Sequence, residues 1–169
     1  MLGRDLEKKA EEIVRLYSER GLKIVTAESC TGGLVAGCLT AIAGSSAVLE
    51  RGFVTYSNEA KIELLSVPAE LIATLGAVSA ETAAAMAHGA LAHSRADIAV
   101  SVTGIAGPGG GSAEKPVGLV HFACAVRDEK PKLLQRCFGE IGRAGIRQKS
   151  VEVALDLLAE AALTAPGRP

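Results

Sequence analysis

Leu22-Lys23-Ile24-Val25-Thr26-Ala27-Glu28-Ser29-Cys30-Thr31-Gly32-Gly33-Leu34-Val35-Ala36-Gly37-Cys38-Leu39 decides the fold of this chain. Its first four residues are a short apolar run that reads as a buried strand, and Leu34 to Leu39 read as an apolar helix. A hydroxyl, a thiol and two glycines therefore sit where a strand turns into a helix. Ligands bind at strand ends in open α/β sheets, and a helix N-terminus offers amide N–H groups to an anion or oxyanion. On that ground Ser29 is a candidate nucleophile. The ordinary alternative is a helix N-cap, worth roughly 1 kcal/mol. A cap does not call for two glycines in a first turn, where they weaken the helix. Gly32 and Gly33 make more sense where something approaches the backbone closely.

Outward from this stretch, residues 4–20 carry apolar side chains at helical spacing, with Gly21 as a stop. A strand over 22–27 leads to a helix over 31–43, closed by Gly44. Arg51 to Ser57 read as a strand, Asn58 as the N-cap of a helix through Leu65, and Pro68 as the N1 residue of a helix ending at Gly76. Ser79 starts an Ala-rich helix to about His93, whose small residues predict tight packing. Asp97 to Val102 read as a buried strand that enters a Gly/Pro loop, Gly104 to Pro116. Val117–Val126 and Lys132–Phe138 read as an antiparallel pair, residues 143–163 as a final helix, and 165–169 as a frayed tail. The expected fold is a single α/β domain over residues 1–169, a three-layer α/β/α sandwich on a mixed sheet of about five strands.

Composition agrees with a folded domain: of 169 residues, 49% are apolar and 22% charged, with three Phe, two Tyr and no Trp. A net charge of −1 gives no electrostatic footprint for nucleic acid or an anionic membrane. The N-terminus is charged and lacks the apolar core of a signal peptide, and no apolar run is long enough to span a bilayer. Cys30, Cys38, Cys124 and Cys137 fall in no C-x-x-C spacing, which predicts free thiols in a cytoplasmic protein and no metal site.

Lys61 is the second informative residue. With Asn58 as N-cap it falls at N3, facing the positive end of the helix dipole. Partial burial would lower its pKa further, and a neutral lysine amine can serve as base for a serine hydroxyl. A solvated surface lysine is the alternative. Tyr56 is placed to hydrogen-bond the amine or a substrate, or is an ordinary strand aromatic. The glycine amides after Thr103, including Gly104 and Gly107, can cradle a phosphate or carboxylate. This loop is not a Walker motif, since Lys115 lies between Glu114 and Pro116. Arg143 and Arg147 are one turn apart and offer guanidinium groups to a phosphate, with solvation as the default for both. Cys30 is a rival nucleophile beside the helix N-terminus, or an inert buried thiol.

Five blocks now stand in order: Thr26 to Gly33, Gly52 to Lys61, Gly76 to Ser79, Thr103 to Gly110, and Glu114 to Gly118. Together they resemble the CinA C-terminal domain family of nicotinamide-nucleotide amidohydrolases, in its stand-alone form. The resemblance implies hydrolysis of the nicotinamide mononucleotide carboxamide to nicotinate mononucleotide and ammonia, within pyridine-nucleotide salvage. It implies a Ser/Lys mechanism without metal or cofactor, in a homo-oligomer that binds a small molecule and neither nucleic acid nor membrane. Ser29 would be the nucleophile, Lys61 its base and Tyr56 an assistant. Thr31, Gly32, Gly33, Thr103, Gly104, Gly107, Arg143 and Arg147 would bind substrate. The family's Gly-Asp-Arg appears here as Gly142-Arg143 after Glu140-Ile141, so its acidic position is displaced or lost. The rival reading is a non-catalytic nucleotide-binding accessory protein linked to competence or DNA damage.

Overall fold

Ile24, Val100, Val102, Val120 and Phe122 belong to one apolar cluster, and Val25, Ala27, Ala99, Ala123 and Ala125 to a second. Successive strand side chains point to opposite faces, so these clusters are the two faces of one sheet. The structure, a computed structural model, describes residues 3–167. In chain order the elements are α1 (Arg4–Arg20), β1 (Ile24–Glu28), α2 (Leu34–Thr40), a 3-10 turn (Ser45–Ala47), β2 (Leu49–Val54), α3 (Asn58–Leu65), α4 (Ala69–Leu75), α5 (Ala80–Ala92), β3 (Ile98–Gly104), β4 (Leu119–Val126), β5 (Lys132–Cys137) and α6 (Arg143–Thr164). The five strands run in the order β2-β1-β3-β4-β5. β1 pairs in parallel with β2 and β3, while β4 and β5 add antiparallel.

Helices α1, α2 and α6 cover the first face, and α3, α4 and α5 the second. This is the expected three-layer α/β/α sandwich with a mixed five-stranded sheet. The chain leaves β1 across one face through α2 and reaches β3 across the other through α3, α4 and α5. The crevice beyond the C-terminal ends of β1 and β3 is therefore the switch point of the sheet, where ligands bind in open α/β folds.

Element boundaries moved where backbone groups had other partners. β2 ends at Val54, not Ser57, because only the Thr55 N–H continues the ladder, to Glu28 O, before the chain turns away. α2 begins at Leu34, not residue 31: Gly32 and Gly33 both have positive φ (59° and 96°), and Gly33, not Ser29, is the cap residue. Ser57 caps α3 by accepting the Ala60 N–H, so Asn58 is N1 and Lys61 lies at N4, not N3. Pro68 stands at the N-cap of α4, one position earlier than expected. β3 runs on to Gly104 because Thr103 and Gly104 pair with His121 and Val120. In the tail, Ala165 is buried and its carbonyl accepts the Arg20 guanidinium; Pro166 and Gly167 are exposed, and residues 168–169 lie outside the described residues.

The Ala-rich helix packs as its composition predicts. A Cβ at Gly89 would stand 1.9 Å from the Leu65 carbonyl oxygen, so α5 and the end of α3 touch backbone to side-chain position. That contact sets where α3 lies on the sheet.

Candidate active site

Val25 and Ala27 face the α3–α5 layer, and Ser29 follows them in the same alternation. Its backbone is held on both sides: the Ser29 N–H donates to Val102 O, and the preceding Glu28 carbonyl accepts the Thr55 N–H. From α3, the Lys61 Nζ reaches 3.0 Å from the Ser29 Oγ. The same nitrogen donates to Thr55 O at 2.8 Å and is 3.5 Å from Ser57 O. These carbonyls are available because β2 stops before them.

Lys61 is 1% exposed and, among the described residues, makes no ion pair with a carboxylate. Burial lowers its pKa below the ordinary lysine value. An amine with two N–H groups fits this setting: both hydrogens have carbonyl acceptors, and the lone pair is left for the Ser29 hydroxyl.

The pair lines a cavity of ≈ 280 Å³. Ser29, Cys30, Lys61 and Thr103 form its buried part, and Tyr56, Asn58 and Arg143 its exposed rim. Ala77, Val78 and the Gly104–Gly110 stretch complete the wall, and no Asp or Glu is among the lining residues. With Lys61 a neutral amine, Arg143 is the charge that the lining presents to a ligand. Thr103 Oγ1 donates to Ala77 O at 2.7 Å, tying β3 to the approach of α5. Arg143 spans the rim: one amino group donates to Gly107 O at 2.7 Å and the other to the Tyr56 hydroxyl at 2.7 Å.

Arg143 and Arg147 do not present a shared face. Arg147 is half-buried outside the cavity lining, with Nε donating to Cys30 O at 3.1 Å and Nη2 to Thr31 O at 3.2 Å. Thr31, Gly32 and Gly33 also lie outside the lining. Glu28, which sequence reasoning passed over, is fully buried and accepts the N–H groups of Gly33 (3.1 Å), Val35 (3.0 Å) and Ala36 (2.9 Å). The orphan amides of α2 are thus taken by protein. A carboxylate just before a Gly-rich helix start is the signal that would have found it.

Burial pushes the Cys30 thiol up to about 11, which disfavours the thiolate a cysteine nucleophile needs. All four cysteines are free, and no three His, Cys, Asp or Glu side chains gather as metal ligands among the described residues. No helix among those residues is long and apolar enough to cross a membrane.

A family model described as CinA C-terminal domain matches residues 6–162. Nicotinamide-nucleotide amidohydrolase PncC of Escherichia coli K12 is 48% identical over 158 residues, covering 94% of this chain and 95% of that protein. A putative competence-damage inducible protein of Caldicellulosiruptor bescii is 48% identical over 156 residues, 92% of this chain. The chain spans 38% of that relative's length, and 30% of a like-named protein of Symbiobacterium thermophilum. Among solved structures, competence/damage inducible protein CihA of Agrobacterium tumefaciens superposes with a TM-score of 0.93 at 55% identity, covering 95% of this chain and 97% of that one.

Proposed function

The chain belongs to the CinA C-terminal domain family, and from that premise we propose that it hydrolyses the carboxamide of nicotinamide mononucleotide to nicotinate mononucleotide and ammonia. The observation that carries the reading is the buried Lys61 amine, without a carboxylate partner, 3.0 Å from the Ser29 Oγ. The near full-length similarity to the E. coli amidohydrolase supplies the substrate.

In this mechanism the neutral Lys61 takes the Ser29 hydroxyl proton as Oγ bonds to the carboxamide carbon. The carbonyl electron pair moves onto oxygen, giving a tetrahedral oxyanion. Collapse of that species expels ammonia, which leaves with the proton returned by Lys61. Water, deprotonated by the same amine, then attacks the Ser29 ester carbon; as the acyl–Oγ bond breaks, Lys61 returns that proton to Ser29 Oγ, which releases the nicotinate product and restores the neutral amine. Arg143 and the Gly107, Gly109 and Gly110 amides suit the phosphate end of the substrate, because the rim is cationic and no Asp or Glu lines the cavity. Tyr56, held by Arg143 at the rim, closes the site on the substrate side.

The alternative, a binding protein without turnover, has weaker support: the competence-damage names of longer relatives. Ammonia release from nicotinamide mononucleotide by the parent protein beside Ser29→Ala separates the two. Release by the parent and none by the folded variant is expected. A raised melting temperature with the nucleotide but no ammonia would favour the binding reading.

A further inference from the structure

Six of the eight backbone amides from Ser29 to Ala36 have an acceptor elsewhere in the turn or the sheet. The Ser29 N–H donates to Val102 O, Gly32 to Ser29 O and Leu34 to Thr31 O. Gly33, Val35 and Ala36 all donate to the Glu28 carboxylate. Two amides remain, those of Cys30 and Thr31. Among the described residues the Thr31 N–H has no acceptor, and the Cys30 N–H meets none beyond its own thiol. These are the two amides that directly follow the Ser29 nucleophile, and Cys30 lines the cavity.

Both belong to peptides whose carbonyls are held. Ser29 O accepts the Gly32 N–H, and Cys30 O accepts Arg147 Nε at 3.1 Å. In a trans peptide the C=O and N–H point in opposite directions. A guanidinium on the Cys30 carbonyl therefore turns the Thr31 N–H away from α6. The second contact, Arg147 Nη2 to Thr31 O at 3.2 Å, fixes the guanidinium plane in a two-point grip that an ammonium does not reproduce.

We infer that Arg147 is a positioning residue: by holding the Cys30 and Thr31 carbonyls it fixes the turn after Ser29, so that the Thr31 N–H, beside the Cys30 N–H of the preceding peptide, is aimed at the oxyanion formed when Ser29 attacks a carbonyl carbon. The inference rests on the amidohydrolase reading for its substrate, although the amide geometry stands apart from it. The step it serves is acylation: the Oγ–C bond forms, the carbonyl π pair moves to oxygen, and the hydroxyl proton passes to Lys61. Such donors act only on charge that develops in the transition state, so their misalignment lowers kcat and leaves KM alone.

The test uses the intact protein and two reactions: ammonia release from nicotinamide mononucleotide, and nitrophenolate release from p-nitrophenyl nicotinate. The ester needs Ser29 and oxyanion support but has no ribose phosphate to bind. Arg147→Ala is expected to lose about 100-fold in kcat on both substrates with KM within about twofold, and Arg147→Lys to fall between it and the parent. A kcat within about threefold of the parent, or a rise in KM with kcat intact, overturns the inference. If Arg147→Ala does not fold, Arg147→Lys decides by the same criterion: lowered kcat at constant KM supports it, and parental kcat overturns it. A parent active on the ester but inert on the nucleotide contradicts the substrate reading, and the ester rates still decide Arg147. A parent inert on both overturns the two together.

Discussion

Lys61 is held at a cost, because a buried ammonium loses its hydration and finds only neutral oxygens around it. The fold keeps it there through Ser57, which caps α3, and through the two carbonyls that β2 releases by ending at Val54. Cys30 shares the same buried ground with the opposite consequence: its thiol pKa of about 11 leaves almost no thiolate at neutral pH. Cys30→Ala is therefore expected to keep kcat/KM within about threefold of the parent, since no step is asked of the thiol. Loss of turnover in a folded Cys30→Ala protein, with Ser29→Ala still active, would make the thiol the nucleophile. Arg143 carries the charge at the rim. Arg143→Met is expected to raise KM for nicotinamide mononucleotide roughly 10-fold, the worth of a charge-assisted hydrogen bond. Nicotinamide riboside, which lacks the phosphate, should show little change, and equal losses on both substrates would remove Arg143 from phosphate recognition.

Two elements bring these residues together, and each depends on one replaceable side chain. α2 starts on the buried Glu28 carboxylate, which accepts three amides. Glu28→Ala leaves the buried Val35 donor and the half-buried Gly33 and Ala36 donors unpaired, and a loss of about 3 kcal/mol in urea unfolding is expected. A change below about 0.5 kcal/mol would mean that the three bonds contribute nothing net. α3 is seated by α5 at Gly89, where a Cβ would stand 1.9 Å from Leu65 O. Gly89→Ala should cost about 2–3 kcal/mol and lower kcat as well, because α3 must shift and Lys61 shifts with it. Parental kcat in the folded variant would show that the Lys61 position does not depend on this contact. The strand-to-turn passage around Ser29 was legible in the sequence because period, glycine and hydroxyl all fall within one local stretch. Lys61 was legible as a cation near the start of a helix, although its register was off by one until Ser57 proved to be the cap. Glu28 and Arg147 were not legible in their present roles. One reaches back to amides five to eight residues ahead, the other crosses 116 and 117 positions to two carbonyls, and neither distance leaves a periodic trace.

On the scale of the whole molecule, the topology explains why these contacts meet. β1 sends its chain over one face of the sheet and β3 receives its chain from the other, which opens a crevice at their C-terminal ends. Glu28 faces the α2 side of that crevice, and Ser29, one residue later, faces the α3 side. One strand end therefore anchors a helix and offers a hydroxyl in consecutive positions. Layer order and sheet class follow from the alternation of strands and helices. The cavity does not, since Ala77, Val78 and Asn58 join it only through the way α3 and α5 pack. Everything in this site depends on Lys61 working as the neutral base of Ser29. The measurement that tests it most directly is kcat/KM for nicotinamide mononucleotide against pH, for the parent and for Lys61→Ala. Because burial lowers the Lys61 pKa and catalysis needs the unprotonated amine, parental activity should rise with pH along a limb centred below 10.5, the ordinary lysine value. Lys61→Ala should lose about 1,000-fold or more at neutral pH and lack that limb. Near-parental turnover by Lys61→Ala at neutral pH would contradict the account.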